Sequence, residues 1–349
     1  MAVQTKPKTD PKPQRGGAAG HRLASAFVAV SAMPALREAR RRLLRGIERG
    51  EDGADELTAA IESDTAIAVA VMRAANNGPG PSGRCGGVRE AVETLPPEKL
   101  GQVAGRIATF DPLERSGSER LERFRRHAVA TKQAAEKIGE ILRVPDADEL
   151  AVAALLHDVG RLVLIEMYGD ERIAGYGSLT PEERVKAERR ELGIDHGLVG
   201  GVLLRRWGLR PTVAGTVERH HAPDASGHAA VVRLADLIAH QAGGDPVGSE
   251  ELGRAGSALG IEQGKLRELL FDFPYATQAK RRSSVPCPLS ARELDALRGL
   301  AEGKVYKQIA SELDLSVSTV RTHLHNVYRK IGAVDRAQAV LIARDKDWI

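Results

Sequence analysis

A chain of 349 residues is long enough for two or three domains. Its two cysteines, Cys85 and Cys287, are too few and too far apart for a disulfide framework, and its net charge of +4 permits nucleic-acid binding without requiring it. No apolar run approaches the length of a membrane-spanning helix and no signal-peptide core opens the chain, so a cytoplasmic protein away from the membrane is expected. Residues 1–20 carry Lys6, Lys8, Lys12 and Arg15 among Pro, Gly and Thr with hardly an apolar side chain. Such a stretch cannot bury enough surface to offset its ordering entropy, and it is expected to be a disordered basic tail.

From 21 to 272 the pattern is helical almost throughout. Aromatic residues make up only 3% of the chain, so the core must be built from Ala, Leu, Val and Ile, and the fold class is all-α. Apolar stripes predict helices over 57–61 and 65–75, followed by a loop at Asn76, Asn77, Gly78, Pro79, Gly80 and Pro81. A long helix is predicted over 119–142. Asp146 with Glu149 reads as a carboxylate cap, and Thr180, Pro181 and Glu183 as a capping box with proline at the first helical position.

Into this region fall His127, the pair His157 and Asp158, His196, the pair His220 and His221, and Asp236, each on or beside a predicted helix. Imidazoles and carboxylates drawn from facing helices are how helical bundles build metal sites, and mixed N and O ligands suit a first-row transition metal or Mg2+. The alternative is a hydrogen-bonded polar network in the core, without metal.

The order and spacing of these residues resemble the HD superfamily, in which His127, His157, Asp158 and Asp236 would hold one divalent metal. His196, His220 and His221 resemble the second-metal histidines of its HD-GYP branch, so one or two ions are implied. The wider sequence resembles the HDOD domain, through Ile61 to Thr65, Val71 to Asn76, Ala154 to Gly160, Gly193 to Gly197 and Leu203 to Gly208, over about 22–245. HDOD domains are mostly regulatory modules. Two departures weigh against turnover. Ala222, Pro223 and Asp224 follow the histidine pair in place of Gly-Tyr-Pro, and Arg161 stands where the phosphodiesterases have Lys, although an arginine cannot give up its proton near neutral pH.

Residues 273–287, with Lys280, Arg281 and Arg282 beside prolines, read as a basic linker, leaving 288–349 as a separate unit. Ser290 and Glu293 form a capping box opening a first helix with Leu294, Leu297 and Ala301 on one face. A second helix carries Tyr306, Ile309, Ala310 and Leu313. A tight turn at Asp314 and Leu315 leads to Ser316, an N-cap for a third. There Val320, Leu324, Val327 and Ile331 point inward, while Arg321, His325 and Arg329 line up outward at i, i+4, i+8. No acidic residue occurs between Asp314 and Asp335, so the outward face suits phosphates and guanine edges.

This unit resembles the LuxR/FixJ-type helix-turn-helix through Leu289 to Glu293, Ala301 to Gly303, Lys307 to Ala310, Ser316 to His323, Asn326, Lys330 to Gly332 and Asp335 to Ala339. Val305 and Tyr306 depart from the family's Ser-Asn. The resemblance implies double-stranded DNA as partner, with Arg321, Thr322 and His325 at base edges, Lys307, Ser316, Ser318, Thr319 and Lys330 at phosphates, and Arg329 on the same cationic face. It also implies a fourth helix, from Asp335 to about Arg344, pairing two copies through Ala339, Val340, Ile342 and Ala343. The expectation is therefore a homodimeric transcription regulator in which an HDOD-like domain, with a metal, nucleotide or protein ligand, controls a LuxR-type unit. The alternatives are a metal-dependent phosphohydrolase acting on a cyclic or other nucleotide and gated by DNA, and a scaffold that needs no ligand.

Overall fold

The computed structural model describes residues 16–49, 54–77, 85–112, 119–273, 287–313, 315–333, 335–345 and 348. The tail at 1–15, the loop at 78–81, the turn residue Asp314 and the basic run 280–286 lie outside the described residues. The chain divides into two compact units, within 1–276 and 277–349. Both are helical as expected, with a single two-residue parallel pairing, β1 (Ala35–Leu36) with β2 (Thr109–Phe110), among the described residues.

The first unit opens with α1 (Gly16–Ser31), whose first turns fall inside the stretch expected as tail. Then come α2 (Arg37–Glu48), α3 (Ala54–Glu62), α4 (Thr65–Asn76), α5 (Val88–Thr94) and α6 (Pro97–Arg106). Asp64 fastens this lobe. One of its oxygens accepts the N–H groups of Ala66 and Ile67 at 2.9 and 3.2 Å, capping α4, and the other accepts Leu36 N–H at 2.8 Å, tying the helix to β1. A cap of this kind contributes about 1 kcal/mol.

The second lobe is built on α7 (Glu119–Leu142), α8 (Ala147–Leu156) and α9 (Val159–Tyr168), continuing through α10 (Asp170–Ala174) and α11 (Pro181–Leu192). It is completed by α12 (His196–Arg206), α13 (Pro211–Arg219), α14 (His228–Ala242), α15 (Ser249–Ala258) and α16 (Gln263–Asp272). The residues from Glu149 to Leu156 are all buried, which is why this helix lacks an amphipathic pattern. The predicted box at Thr180 and Glu183 is present in both directions. The cap predicted at Asp146 is not. Its backbone is left-handed (φ 54°), its side chain makes no capping bond, and Glu149 instead accepts from Arg210 and Thr212, both at 2.6 Å.

Glycines set the closest approach in this lobe. A Cβ on Gly160 would lie 1.9 Å from the His196 carbonyl oxygen, and one on Gly201 would lie 2.8 Å from the Glu218 Cβ. Without those side chains α9, α12 and α13 pack nearly backbone to backbone. That packing brings the ends of three helices, and the histidines on them, to one place.

The second unit comprises α17 (Ala291–Ala301), α18 (Tyr306–Glu312), α19 (Val317–Ile331) and α20 (Arg336–Asp345). The Ser290–Glu293 box and the Ser316 cap form as predicted. Leu297, Leu300, Ile309, Val320, Leu324 and Val327 make a separate small core. Ala339 and Ala343, expected on a dimer face, are fully buried in that core. Four residues apart, they lie on the inner stripe of α20, and only Val340 and Ile342 of the expected set keep partial exposure.

Candidate metal centre and nucleic-acid interface

The histidines and carboxylates picked out in the sequence converge. His127 comes from the middle of α7, His157 from the C-cap of α8, Asp158 from the N-cap of α9, His196 from the first turn of α12, His220 and His221 from the end of α13, and Asp236 from α14. Asp236 Oδ1 lies 3.0 Å from His127 Nε2 and 3.3 Å from His157 Nε2. Asp158 Oδ1 lies 3.2 Å from His196 Nε2, and the His196 and His220 rings flank His221 with centroids 4.9 and 4.0 Å away. Among the described residues three groups have ligand atoms within 4.8 Å of one another: His127, His157 and Asp158; His127, Asp236 and His240, which shares His127 with the first; and His196, His220 and His221.

Four members of this network were not anticipated. His240 sits one turn beyond Asp236, with Nε2 3.2 Å from Asp236 Oδ1 and Nδ1 2.8 Å from Asp245. Glu188, fully buried on α11, accepts both the backbone N–H and the Nδ1–H of His196, at 3.0 and 2.7 Å. Arg184, also on α11, is buried 3.4 Å from His240. The i, i+4 spacing of Asp236 and His240 was readable in the sequence. Glu188 and Arg184 meet the centre only through tertiary packing, while Asp245 folds back onto His240 across the end of α14.

Hydrogen bonds fix the orientation of three rings. The Nδ1–H of His157 donates to the Ala154 carbonyl at 2.7 Å, that of His196 to Glu188, and that of His220 to the Val217 carbonyl at 2.6 Å. An imidazole with Nδ1 committed as donor presents a lone pair at Nε2 unless it is protonated. Those Nε2 atoms face inward, toward carboxylate oxygens or toward nothing, and the Nε2 atoms of His196 and His220 are buried without a hydrogen-bond partner among the described residues. Lone pairs turned toward carboxylates call for a cation or a proton between them, and this donor set fits a divalent metal.

Electrostatics agree. Burial, reinforced by neighbouring imidazoles, lowers His127 and His220 to about 4 and puts His221 well below its ordinary value, so all three are neutral at pH 7 and able to ligate. Burial alone would raise the two aspartates. Arg161 and the histidines around Asp158, and His240 with His127 and His157 around Asp236, instead hold both well below the usual carboxylate range. Burial also opposes protonation of His240, but Asp236 and Asp245 outweigh it and push its pKa up to about 9. Arg161 donates to Asp158 Oδ2 at 3.0 Å.

In the second unit Arg321, Thr322, His325 and Arg329 are all exposed on one side of α19; Lys307 on α18 and Ser316 and Ser318 at the start of α19 are exposed too, while Thr319 is half-buried. The Ser316 hydroxyl accepts the Thr319 N–H at 3.1 Å and contacts the Ser318 and Thr319 hydroxyls at 2.7 and 2.8 Å, a compact polar cluster at the helix N-terminus where a phosphate is favoured. Lys330 is placed differently. Its ammonium donates to Glu293 Oε2 at 2.7 Å, so it already has a partner within the unit. No helix among the described residues is long and apolar enough to cross a membrane.

Comparison with known proteins gives the same two parts. The HDOD domain profile matches residues 33–223, and that of bacterial regulatory proteins of the luxR family matches 287–343. The chain is 34% identical over 95 residues to the monoamine regulon transcriptional regulator of Klebsiella aerogenes, covering 27% of this chain and 38% of that one. It spans less than two fifths of the length of the curated relatives it matches. The fold is shared with a response regulator, MmoQ, of Methylococcus capsulatus (TM-score 0.52, 20% identity, 68% of this chain and 97% of that one). It is shared equally with a virulence factor of Campylobacter jejuni (TM-score 0.55, 17% identity, 73% and 95%).

Proposed function

The chain belongs to the HDOD domain family, and from that premise we propose that it is a cytoplasmic transcription regulator whose HDOD domain governs a DNA-binding unit of LuxR type. The observation that carries the reading is the split of α19. Val320, Leu324 and Val327 anchor it in a core, while Arg321, Thr322 and His325 stand exposed on its other side. A helix held by its apolar stripe and cationic on its open face is how a helix-turn-helix offers base-reading side chains to the major groove. Ser316, Ser318, Thr319 and Lys307 would set its register on phosphates. Two copies would occupy a two-fold operator, with Val340 and Ile342 supplying the remaining apolar contact.

The input, in this reading, is a divalent cation at the centre formed by His127, His157, Asp158, His196, His220, His221 and Asp236. The inward-facing Nε2 lone pairs support it. When bound, the ion would supply positive charge between helix ends that otherwise hold facing acceptors, and so would bias the arrangement of α9, α12 and α13. A hydrolytic role gains nothing from Arg161, whose guanidinium is tied to Asp158.

The test uses the full chain and sites selected from random double-stranded DNA. Cognate binding should fall steeply with salt and exceed binding to random DNA by 10³-fold or more, on the order found for specific regulators. Stripping divalent ions with a chelator should change cognate affinity by about 5–150-fold, the usual range of coupling between sites. Equal binding to all sequences would refute the regulator reading. Sequence-specific binding indifferent to chelation would leave the regulator and remove the metal as its input.

A further inference from the structure

The two ends of the centre are built differently. Asp236 Oδ1 is already surrounded by three imidazole nitrogens, those of His127, His157 and His240, at 3.0–3.3 Å. Asp158, the carboxylate placed to bridge two ions, has its Oδ2 held by Arg161 at 3.0 Å. A guanidinium is always cationic in a protein, so the position a second metal ion would take against that oxygen is filled by a fixed positive charge. Among the described residues the other end holds no such fixed cation. Hydrogen bonds at Nδ1 hold the buried Nε2 atoms of His196 and His220 inward, that of His196 3.2 Å from Asp158 Oδ1 and that of His220 without a hydrogen-bond partner, and His221 lies against both.

We propose that His196, His220 and His221 form a site for one borderline first-row cation of the Zn2+ and Co2+ class, with Glu188 as its positioning residue, and that Arg161 takes the place of a second ion. This deepens the metal reading above and rests on it. Three imidazole ligands suit Zn2+, Co2+, Ni2+ or Cu2+ and not the oxygen-seeking Mg2+ or Ca2+. Nitrogens sharing one tetrahedral Zn2+ at about 2.0–2.1 Å are roughly 3.3 Å apart. The three ligand nitrogens lie within 4.8 Å before any ion draws them in. Asp158 Oδ1, 3.2 Å from His196 Nε2, is the nearest anion for a fourth position. Glu188 acts through His196. A carboxylate on the far nitrogen of a metal-bound imidazole fixes its tautomer and raises its basicity, and removing such a partner typically costs about 10–100-fold in affinity.

The experiment measures metal content of the full-length protein, stripped with chelator and then equilibrated against buffered Zn2+, Co2+ or Mg2+. One equivalent of Zn2+ or Co2+ per chain is expected, with no Mg2+ retained. The Co2+ form should show the visible absorption of a nitrogen-rich site of low coordination number, which reads the ligands without any substitution that might unfold the protein. His220→Gln should lose the ion, His127→Gln should keep it, and Glu188→Gln should weaken binding about 10–100-fold without changing the stoichiometry. Arg161→Gln should admit a second equivalent. Two equivalents in the unmodified chain, or one that survives His220→Gln and disappears in His127→Gln, would overturn the proposal. So would Arg161→Gln remaining at one. Binding of no ion at all would end the metal reading with it, whereas an ion bound elsewhere would end this proposal alone.

Discussion

Histidine serves opposite ends in the two units. In the first unit His157, His196, His220 and His240 are buried, and ring nitrogens are committed to carbonyls or carboxylates inside the protein. In the second, His325 stands on the exposed face of a helix whose other side does the packing. A buried site of mutually compensating charges cannot lose one member without stranding another, so substitution there should damage folding and function together. An exposed reading face is held by residues other than those that read, and substitution there should cost binding alone.

The strongest challenge to that contrast is Asp158→Ala. It leaves the Arg161 guanidinium without its counter-ion and removes the anion beside His196. Breaking one side of a buried pair costs about 3–5 kcal/mol. Trp207 lies in the first unit and Trp348 in the second, so tryptophan fluorescence during denaturant titration can follow each. The Trp207 transition should move to markedly lower denaturant while the Trp348 transition stays in place. Unchanged stability of the first unit would show that the centre is less tightly compensated than its distances indicate.

Gly160→Ala tests the same end through packing. The added methyl would fall 1.9 Å from the His196 carbonyl oxygen, which belongs to helix backbone and cannot swing aside. Separating α9 from α12 should cost about 1–3 kcal/mol, the usual range for overpacking, and weaken metal retention with it. Wild-type melting and metal content would show that the helix approach does not place the ligands.

How much of each region could be read from sequence follows from the same contrast. The second unit was legible because its signals are local. Ser290 with Glu293, the stripe of Val320, Leu324 and Val327, and the Ser316 cap all lie within a few residues of what they control. The centre was legible only as a set of ligand types in order. Glu188 and Arg184 escaped notice because a buried carboxylate or guanidinium looks like any surface charge until a neighbouring helix covers it, and Asp245 because it stays exposed and touches the centre only through His240. The failed cap at Asp146 has the same origin, since a left-handed backbone was not visible in an otherwise suitable Asp. Ala339 and Ala343 were misplaced because a short, apolar helix does not declare which of its faces meets its own core.

On the reading face the expected effect is on binding. Arg321→Ala should weaken cognate DNA by about 1–3 kcal/mol and relax preference at one base pair, with little change on random DNA and none in the melting of the second unit. Equal losses on both kinds of DNA would reassign Arg321 to the phosphates.

Lys330 carries the smallest effect and tests the contrast most finely, because it belongs to both categories. It lies at the end of α19, where a phosphate contact was expected, yet its ammonium is 2.7 Å from Glu293, the same carboxylate that accepts the Ser290 N–H in the capping box of α17. Burial would raise the Glu293 pKa, but Lys330 and the Ser290 contacts hold it below the usual carboxylate range. A depressed carboxylate contributes stability that is present above its unfolded pKa and lost as pH falls through the folded value. Lys330→Ala removes part of that depression, so acid unfolding of the second unit should begin at higher pH. With Lys330 partly exposed, the loss near neutral pH should be only about 0.2–1 kcal/mol. If the ammonium serves α17 alone, the salt dependence of DNA binding should not change. If it also reaches a phosphate, the slope of log K against log salt should shrink by about one. A flattened slope with unaltered acid stability would mean that the lysine leaves Glu293 for DNA, and that this part of the reading face is not held by the fold at all.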